Sequence, residues 1–246
     1  SASVGAKRTV IAIEDNKVRA AEAVRAVLPS GMELKILPTR YPQGAEKQLI
    51  QAVTGREAAA GKLPRDVGCA VFNAATCAAS VRAAFDGEPL IERIVTVSGE
   101  GVKHPGNYLV RIGTPIADVL AAAGGLADDG VRVLAGGPMM GFAVDDFGAP
   151  VTKGVNAVTC LPRKTAAQLD GTVCFRCGRC VAACPMHLRP LYFFRGERCG
   201  DAAMLERDHV CDCIECGCCA YACPGHLPLV RAIRAGKQLV KECAVP

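Results

Sequence analysis

Tryptophan is absent, and aromatic residues make up only 4% of the chain. Few ring faces are therefore available for nucleic-acid bases to stack on. Neither sign of charge dominates: 29 Lys and Arg against 24 Asp and Glu leave a net +5. That balance is too mild to recommend nucleic acid as a partner. No apolar run reaches the ~18 residues that a bilayer-spanning helix needs, and the first residues lack the basic start and apolar core of a signal peptide. Ser1-Ala2-Ser3 opens the sequence without a methionine, which suggests a processed or excised chain. The 26 glycines and 15 prolines follow no three-residue period, so a collagen-like helix is excluded. What is present is ample apolar material, 50% of 246 residues. This is enough for one large domain or two or three small ones, and it argues against general disorder.

The composition is unusual in cysteine. Of 15 cysteines, 11 lie between Cys174 and Cys223, with Cys69, Cys77 and Cys160 before them and Cys243 after. A disulfide scaffold is usually short and spreads its bridges over the whole chain. A dense local group in a chain without a secretion signal reads instead as metal binding in a reducing compartment.

Before that group the pattern alternates between strand and helix. Thr9 to Ile13 reads as a strand, with Asp15 or Asn16 as a cap for the helix that follows. Val18, Ala21, Val24 and Leu28 recur at helical spacing, and Glu33 to Leu37 alternates as a second strand, completing a βαβ-type unit. Gly44 to Val53 reads as a helix stopped by Gly55, Val67 to Phe72 as a short buried strand, and Ala74 to Phe85 as another helix. From Pro89 the pattern changes. Ile91 to Ser98 and Tyr108 to Ile112 read as strands joined by a glycine-rich loop. Thr114 is the expected N-cap of a helix with Pro115 in its first position, Gly124-Gly125 ends that helix, and Val131 to Ala135 reads as a strand followed by a Gly136-Gly137-Pro138 turn. This order suggests a small β-grasp-like module. From Cys160 onward strand signals vanish, and short helical stretches are interrupted by cysteines.

One internal repeat stands out. Cys174-x2-Cys177-x2-Cys180-x3-Cys184-Pro185-Met186-His187-Leu188 matches Cys213-x2-Cys216-x2-Cys219-x3-Cys223-Pro224-Gly225-His226-Leu227. Each copy is the bacterial-ferredoxin pattern, in which three closely spaced thiolates hold one [4Fe–4S] cluster and the fourth ligates the other cluster. The proline after the fourth cysteine turns the chain away. The spacing therefore predicts Cys174, Cys177, Cys180 and Cys223 on one cluster, and Cys213, Cys216, Cys219 and Cys184 on a second. The alternative is zinc, but a structural zinc site needs only two separated C-x2-C pairs. It leaves the third cysteine and the doubled Cys-Pro unexplained. Cys218 and Cys211 are read as bystanders, and Cys69, Cys77, Cys160, Cys199 and Cys243 as small hydrophobes. His187 and His226 are poorer ligand candidates than the four thiolates and are expected near a sulfur or as backbone caps. Arg176 and Arg179 in the first copy and Glu215 in the second suggest that the first cluster is the more easily reduced.

Arg40-Tyr41-Pro42-Gln43-Gly44-Ala45-Glu46-Lys47-Gln48-Leu49-Ile50, Pro89-Leu90-Ile91-Glu92-Arg93, Gly136-Gly137-Pro138-Met139-Met140-Gly141 and Val151-Thr152-Lys153-Gly154 precede the double cysteine motif in this order. Together they resemble the C subunits of Rnf electron transport complexes, relatives of the flavoprotein subunit of respiratory complex I. The resemblance covers almost the whole chain. It implies an α/β Rossmann-like flavin- and NADH-binding domain, in part, over residues 1–88. It implies a soluble-ligand-binding β-grasp domain over 89–155 and a small α-helical, two-[4Fe–4S] ferredoxin-like domain over 156–246. The family's glycine-rich flavin loop, similar to G-x-G-G-A-x-F-P, is not found here, so the family's N-terminal portion is expected to be missing. The rest of the flavin site would be Tyr41, Gly44, Glu46 and Lys47 at a helix N-terminus suited to a phosphate, with Asn73 and Thr76 before the next helix. Glu46 would face the nicotinamide or ribose. FMN is thus expected in the full-length parent and absent or weakly held in this chain.

The resemblance also implies partners: other subunits of a membrane complex, ferredoxin, and NADH for the parent. It implies a peripheral position on the cytoplasmic face of the bacterial membrane. The function expected is electron transfer between NADH, through flavin, and ferredoxin, with no residue here performing bond chemistry and the chain alone inactive. The alternatives are a corrinoid reductase sharing the same modules and a stand-alone two-cluster carrier.

Overall fold

The computed structural model describes residues 5–59, 61–163 and 170–243; Ser1-Ala2-Ser3 lies outside them. The chain divides after Asn73 into two units, 1–73 and 74–246.

The first unit is built on strand β1 (Thr9–Glu14), helix α1 (Val18–Val27) and strand β2 (Met32–Leu37). The two strands pair in parallel from Thr9↔Met32 to Glu14↔Leu37, as a βαβ connection requires. Helix α2 (Glu46–Thr54) ends on Gly55 in the left-handed conformation, whose N–H bonds to the Gln51 carbonyl; glycine takes that conformation without steric cost. Among the described residues of this unit, Ala21, Leu37 and Ile50 are the buried apolar ones.

Two expectations fail here. Neither Asp15 nor Asn16 caps α1, whose N-cap is Lys17 with no side-chain bond. The Asp15 carboxylate instead accepts from the Thr39 N–H at 3.0 Å and the Thr39 hydroxyl at 2.6 Å, tying the end of β1 to the chain beyond β2. Residues 67–72 form no strand. Pro64–Val67 is a 3-10 turn closed by Gly68 at φ 67°, a dihedral no strand tolerates, and Phe72 is exposed.

The second unit opens with helix α3 (Ala74–Phe85). A five-stranded mixed sheet follows, from β3 (Glu92–Ser98), β4 (Gly106–Arg111), β5 (Arg132–Ala135), β6 (Phe142–Ala143) and β7 (Ala157–Leu161), in the order β4-β3-β7-β5-β6. Helix α4 (Ile116–Ala122) packs Ile116, Val119 and Leu120 into a core with Val95, Val97, Val133, Val158 and Cys160. Along β3, Val95 and Val97 are buried while Ile94 and Thr96 are exposed, the period of two that one covered sheet face produces. Pro115 occupies the N-cap of α4 rather than its first turn, and Thr114 lies outside the helix. The Thr114 carbonyl instead accepts the Val151 N–H at 2.8 Å.

Strand β7 has no counterpart in the sequence reading. It pairs in parallel with β3 and antiparallel with β5, and the fully buried Cys160 opposes Val133. The sheet thus runs to Leu161, past the boundary expected at 155. Cys160 behaves as the small hydrophobe that its lack of ligand spacing suggests.

The elements among the described residues that follow are helices: α5 (Arg179–Ala182), α6 (Pro190–Cys199), α7 (Ala202–Arg207), α8 (Cys218–Tyr221) and α9 (Leu229–Cys243), with a 3-10 turn at Val210–Asp212. Phe193, Leu205, Val210, Leu229 and Ile233 form its core. Asp208, buried, is ion-paired with Arg189, joining the start of α6 to the end of α7. α5 and α8 each follow a left-handed glycine, Gly178 and Gly217, so the sequence repeat is also a structural one. No described helix is long and apolar enough to cross a membrane.

Candidate metal centres

The helical module contains two hollows, and each is lined by one of the two cysteine sets the spacing predicts. Cys174, Cys177, Cys180 and Cys223 line the first, with Phe175, Leu191, Leu227 and Leu229 among the apolar walls. Cys184, Cys213, Cys216 and Cys219 line the second, with Phe193, Val230 and Ile233. In each, the fourth cysteine comes from the other repeat. Each set of four sulfurs borders one hollow. A zinc ion draws its sulfurs to about 2.3 Å, whereas the thiolates of a cubane bind different irons.

The loops repeat in detail. Arg176 and Glu215 are left-handed at φ 56° and 55°, as are His187 and His226 at 54° and 49°. Left-handed backbone is uncommon outside glycine, and here it turns amides toward sulfur. Arg176 N–H donates to Cys174 Sγ and Glu215 N–H to Cys213 Sγ, both at 3.4 Å, and Leu188 N–H donates to Cys184 Sγ at 3.3 Å. The histidine N–H groups bond to the Cys184 and Cys223 carbonyls, both at 3.1 Å. The histidines thus shape the turn after each Cys-Pro through their backbone.

The two hollows differ in depth. Cys174 and Cys177 are exposed, whereas Cys216 and Cys219 are buried. Burial pushes the Cys219 thiol up to about 12, helped by the charges of Cys213 and Cys216. Burial likewise raises the Cys213 and Cys180 thiols. Iron ligation needs thiolates, so four such groups ionise together only against a compensating positive charge. Cys218 does not line the second hollow but lies beside it. Its thiol is pushed up to about 11 by burial and then by the hydrogen bond to and charge of Cys216, with Cys184 adding to it. Cys211 is exposed and lines neither hollow. The donor set, eight thiols in two rings with amide N–H groups directed at sulfur, fits two iron–sulfur clusters.

Glu215 does not stand alone in the second repeat. Glu215 accepts from Arg234 Nε at 2.8 Å and from Lys237 Nζ at 2.7 Å, and Lys237 also donates to the Cys213 carbonyl at 2.7 Å. Burial pushes the Glu215 carboxyl up, but these two cations outweigh it and hold it below the usual carboxylate range. Glu215 is therefore no lone negative charge, and the second hollow has one net positive charge from these three groups. The signal lay in α9, where Arg234 and Lys237 are three apart and so share a face.

The six expected flavin-site residues divide between the units. Tyr41, Gly44, Glu46, Lys47 and Asn73 belong to the first and Thr76 to the second. Tyr41-Pro42 is a cis peptide bond, and α2 begins at Glu46 after Ala45, an N-cap without side-chain oxygen. A helix N-terminus of this kind is where a phosphate can be received. Lys47 Nζ is engaged by the Ala59 carbonyl at 3.0 Å. Thr76 lies inside α3, not before it, and it is exposed, as are Tyr41, Gly44, Glu46 and Asn73. Gly136 to Gly141 forms the turn joining β5 to β6, closed by the Gly141 N–H on the Gly137 carbonyl at 2.8 Å.

Residues 1–82 match the Nuo51 FMN-binding domain family and residues 94–143 the SLBB domain family. The chain is 45% identical over 186 residues to the C subunit of the proton-translocating ferredoxin:NAD(+) oxidoreductase complex of Clostridium ljungdahlii, covering 75% of this chain and 40% of that protein. It is 41% identical over 243 residues to the C subunit of the ion-translocating oxidoreductase complex of Rhodobacter capsulatus, covering 98% and 47%. Among solved structures, an NAD+-reducing [NiFe]-hydrogenase in its H2-reduced state superposes with TM-score 0.56 over 98% of this chain and 50% of that one. At 18% identity it shares the fold. The chain spans under half the length of these two curated relatives, and over most of its own length it is a homologue of the Rnf-type ion-translocating oxidoreductase C subunits.

Proposed function

We propose that this chain is the cluster-bearing segment of an electron-transfer subunit in a ferredoxin:NAD(+) oxidoreductase complex. It would hold two [4Fe–4S] clusters, one on Cys174, Cys177, Cys180 and Cys223 and the other on Cys184, Cys213, Cys216 and Cys219. The observation that carries this reading is the pairing of each hollow with three cysteines of one repeat and the fourth of the other. The clusters would supply one-electron storage; the chain's own residues hold the thiolates, direct N–H donors at sulfur and exclude water from the deeper ring. Such donors and charges set a cluster's potential.

The relatives from multi-subunit complexes support a set of partner subunits, with ferredoxin and NADH exchanging electrons with the assembled complex. Attachment would be peripheral, on the cytoplasmic face of the membrane. FMN would belong to the α/β unit, with Tyr41, Gly44, Glu46, Lys47 and Asn73 as its contacts there. It would be held weakly by this chain, because Lys47 is already engaged by the Ala59 carbonyl.

The test is anaerobic purification followed by iron, sulfide and flavin analysis. About eight irons and eight sulfides per chain are expected from two four-iron clusters, with FMN lost on gel filtration. Stoichiometric zinc in place of iron would refute the cluster assignment. One FMN retained per chain would refute the weak flavin site.

A further inference from the structure

The second hollow is connected to the SLBB domain by residues that are not ligands. Arg234 of α9 lies between two groups. Its Nε donates to Glu215 at 2.8 Å, and its guanidinium stacks 4.7 Å above the ring of Phe142 in β6. One turn further along α9, Lys237 donates both to Glu215 and to the carbonyl of the ligand Cys213, each at 2.7 Å. The loop these residues brace also meets the SLBB domain directly. A Cβ on Gly217 would come within 2.6 Å of the Met139 carbonyl.

We propose that Glu215, Arg234 and Lys237 set the reduction potential of the cluster held by Cys184, Cys213, Cys216 and Cys219, and that Phe142 holds this network in place from the SLBB domain. The proposal rests on the two-cluster reading above. Burial of Cys216 and Cys219 disfavours the extra negative charge of a reduced cluster, because a low-dielectric site solvates it poorly. The net positive charge of the three groups opposes that penalty. Reduction adds one electron to the cluster and breaks no bond; in the test, dithionite supplies the electron.

Glu215 here is a positioning residue with an electrostatic signature. If the network acts through charge, removing the carboxylate and removing a cation shift the potential in opposite directions. If it merely braces the loop, both changes loosen the same site and move it the same way.

The experiment is a potentiometric titration of the full chain followed by EPR, with iron content measured for every variant. Glu215→Gln should make the second cluster easier to reduce, and Lys237→Met and Arg234→Gln harder. Each change should be about tenfold in the electron's partition, about 59 mV for one electron. Lys237→Arg, which keeps the charge, should stay near wild type. Phe142→Leu should shift the potential in the direction of Arg234→Gln, by less. The first cluster should not move. Shifts of equal sign for Glu215→Gln and Lys237→Met, or none, overturn the proposal. So does a Phe142→Leu variant identical to wild type, which would remove the SLBB link. Wild-type protein with no second cluster signal would instead sink the two-cluster reading, and this proposal with it.

Discussion

Arg176 and Glu215, one in each repeat, adopt the same left-handed backbone at φ 56° and 55°. Each donates its N–H to the Sγ of the cysteine two residues before it, at 3.4 Å in both. Their side chains carry opposite charges, so what the repeat preserves is backbone shape. The side chains are free to distinguish the two sites.

That distinction predicts how Arg176 tolerates change. Arg176→Gly removes the cost of a left-handed side chain and should leave the first cluster in place. Arg176→Val puts a β-branched residue where it fits worst and should cost about 1–3 kcal/mol locally. Iron content should fall toward half with Arg176→Val and stay at wild type with Arg176→Gly. Equal iron in both variants would show that the backbone dihedral is unimportant.

The two left-handed glycines should differ in the same way. Gly178 and Gly217 have φ 76° and 84°, but a Cβ on Gly178 meets nothing within 4 Å, whereas one on Gly217 meets the Met139 carbonyl at 2.6 Å. Gly178→Ala should cost only the dihedral strain, about 1–2 kcal/mol. Gly217→Ala must also displace a backbone group, and its loss of stability in chemical denaturation should be clearly larger. Equal losses would argue against the close packing of this loop on the β5–β6 turn.

The ligand sets could be read in the sequence because their geometry is local. Two-residue gaps put three sulfurs on one loop, and a Cys-Pro step turns the fourth away, without help from distant residues. The strand at Ala157–Leu161 was hidden because its burial comes from β3 and β5, far away in sequence. The failed strand at 67–72 shows the converse. An apolar run is not a strand when Gly68 sits at positive φ within it. The Glu215 charge misled for a similar reason, since its counterions arrive on a helix about 20 residues later.

Asp15 offers a pH test in the first unit. Hydrogen bonds from the Thr39 hydroxyl and N–H hold its carboxyl below the usual carboxylate range. A folded value below the unfolded one means that the bond stabilises the fold above the unfolded pKa of about 3.9. That contribution disappears as pH falls through the folded value. Asp15→Asn should therefore lower the stability of the β1–β2 unit at pH 7, read by hydrogen exchange, and the gap to wild type should close toward pH 3. A gap independent of pH would mean that the carboxylate's charge plays no part.

The crossing of ligands between the repeats is open to a direct test. Cys184 is next in sequence to the first three-cysteine loop, yet it lines the hollow of the second, and its Sγ accepts the Leu188 N–H at 3.3 Å. Serine at this position keeps the size of the side chain but replaces a soft thiolate with a poor iron ligand. Cys184→Ser should therefore damage the cluster on Cys213, Cys216 and Cys219 and spare the one on Cys174, Cys177 and Cys180. Cys223→Ser should do the reverse. The clusters can be told apart by the Lys237→Met background, in which only the second should move in potential. If EPR of Cys184→Ser shows that the unshifted signal is the one lost, each repeat binds its own cluster and the crossed assignment fails. Cys218, whose thiol lies beside Cys216 and Cys184, is a neighbour that could replace a missing sulfur. The double variant Cys184→Ser, Cys218→Ser should lose the second cluster outright if the single variant retains part of it.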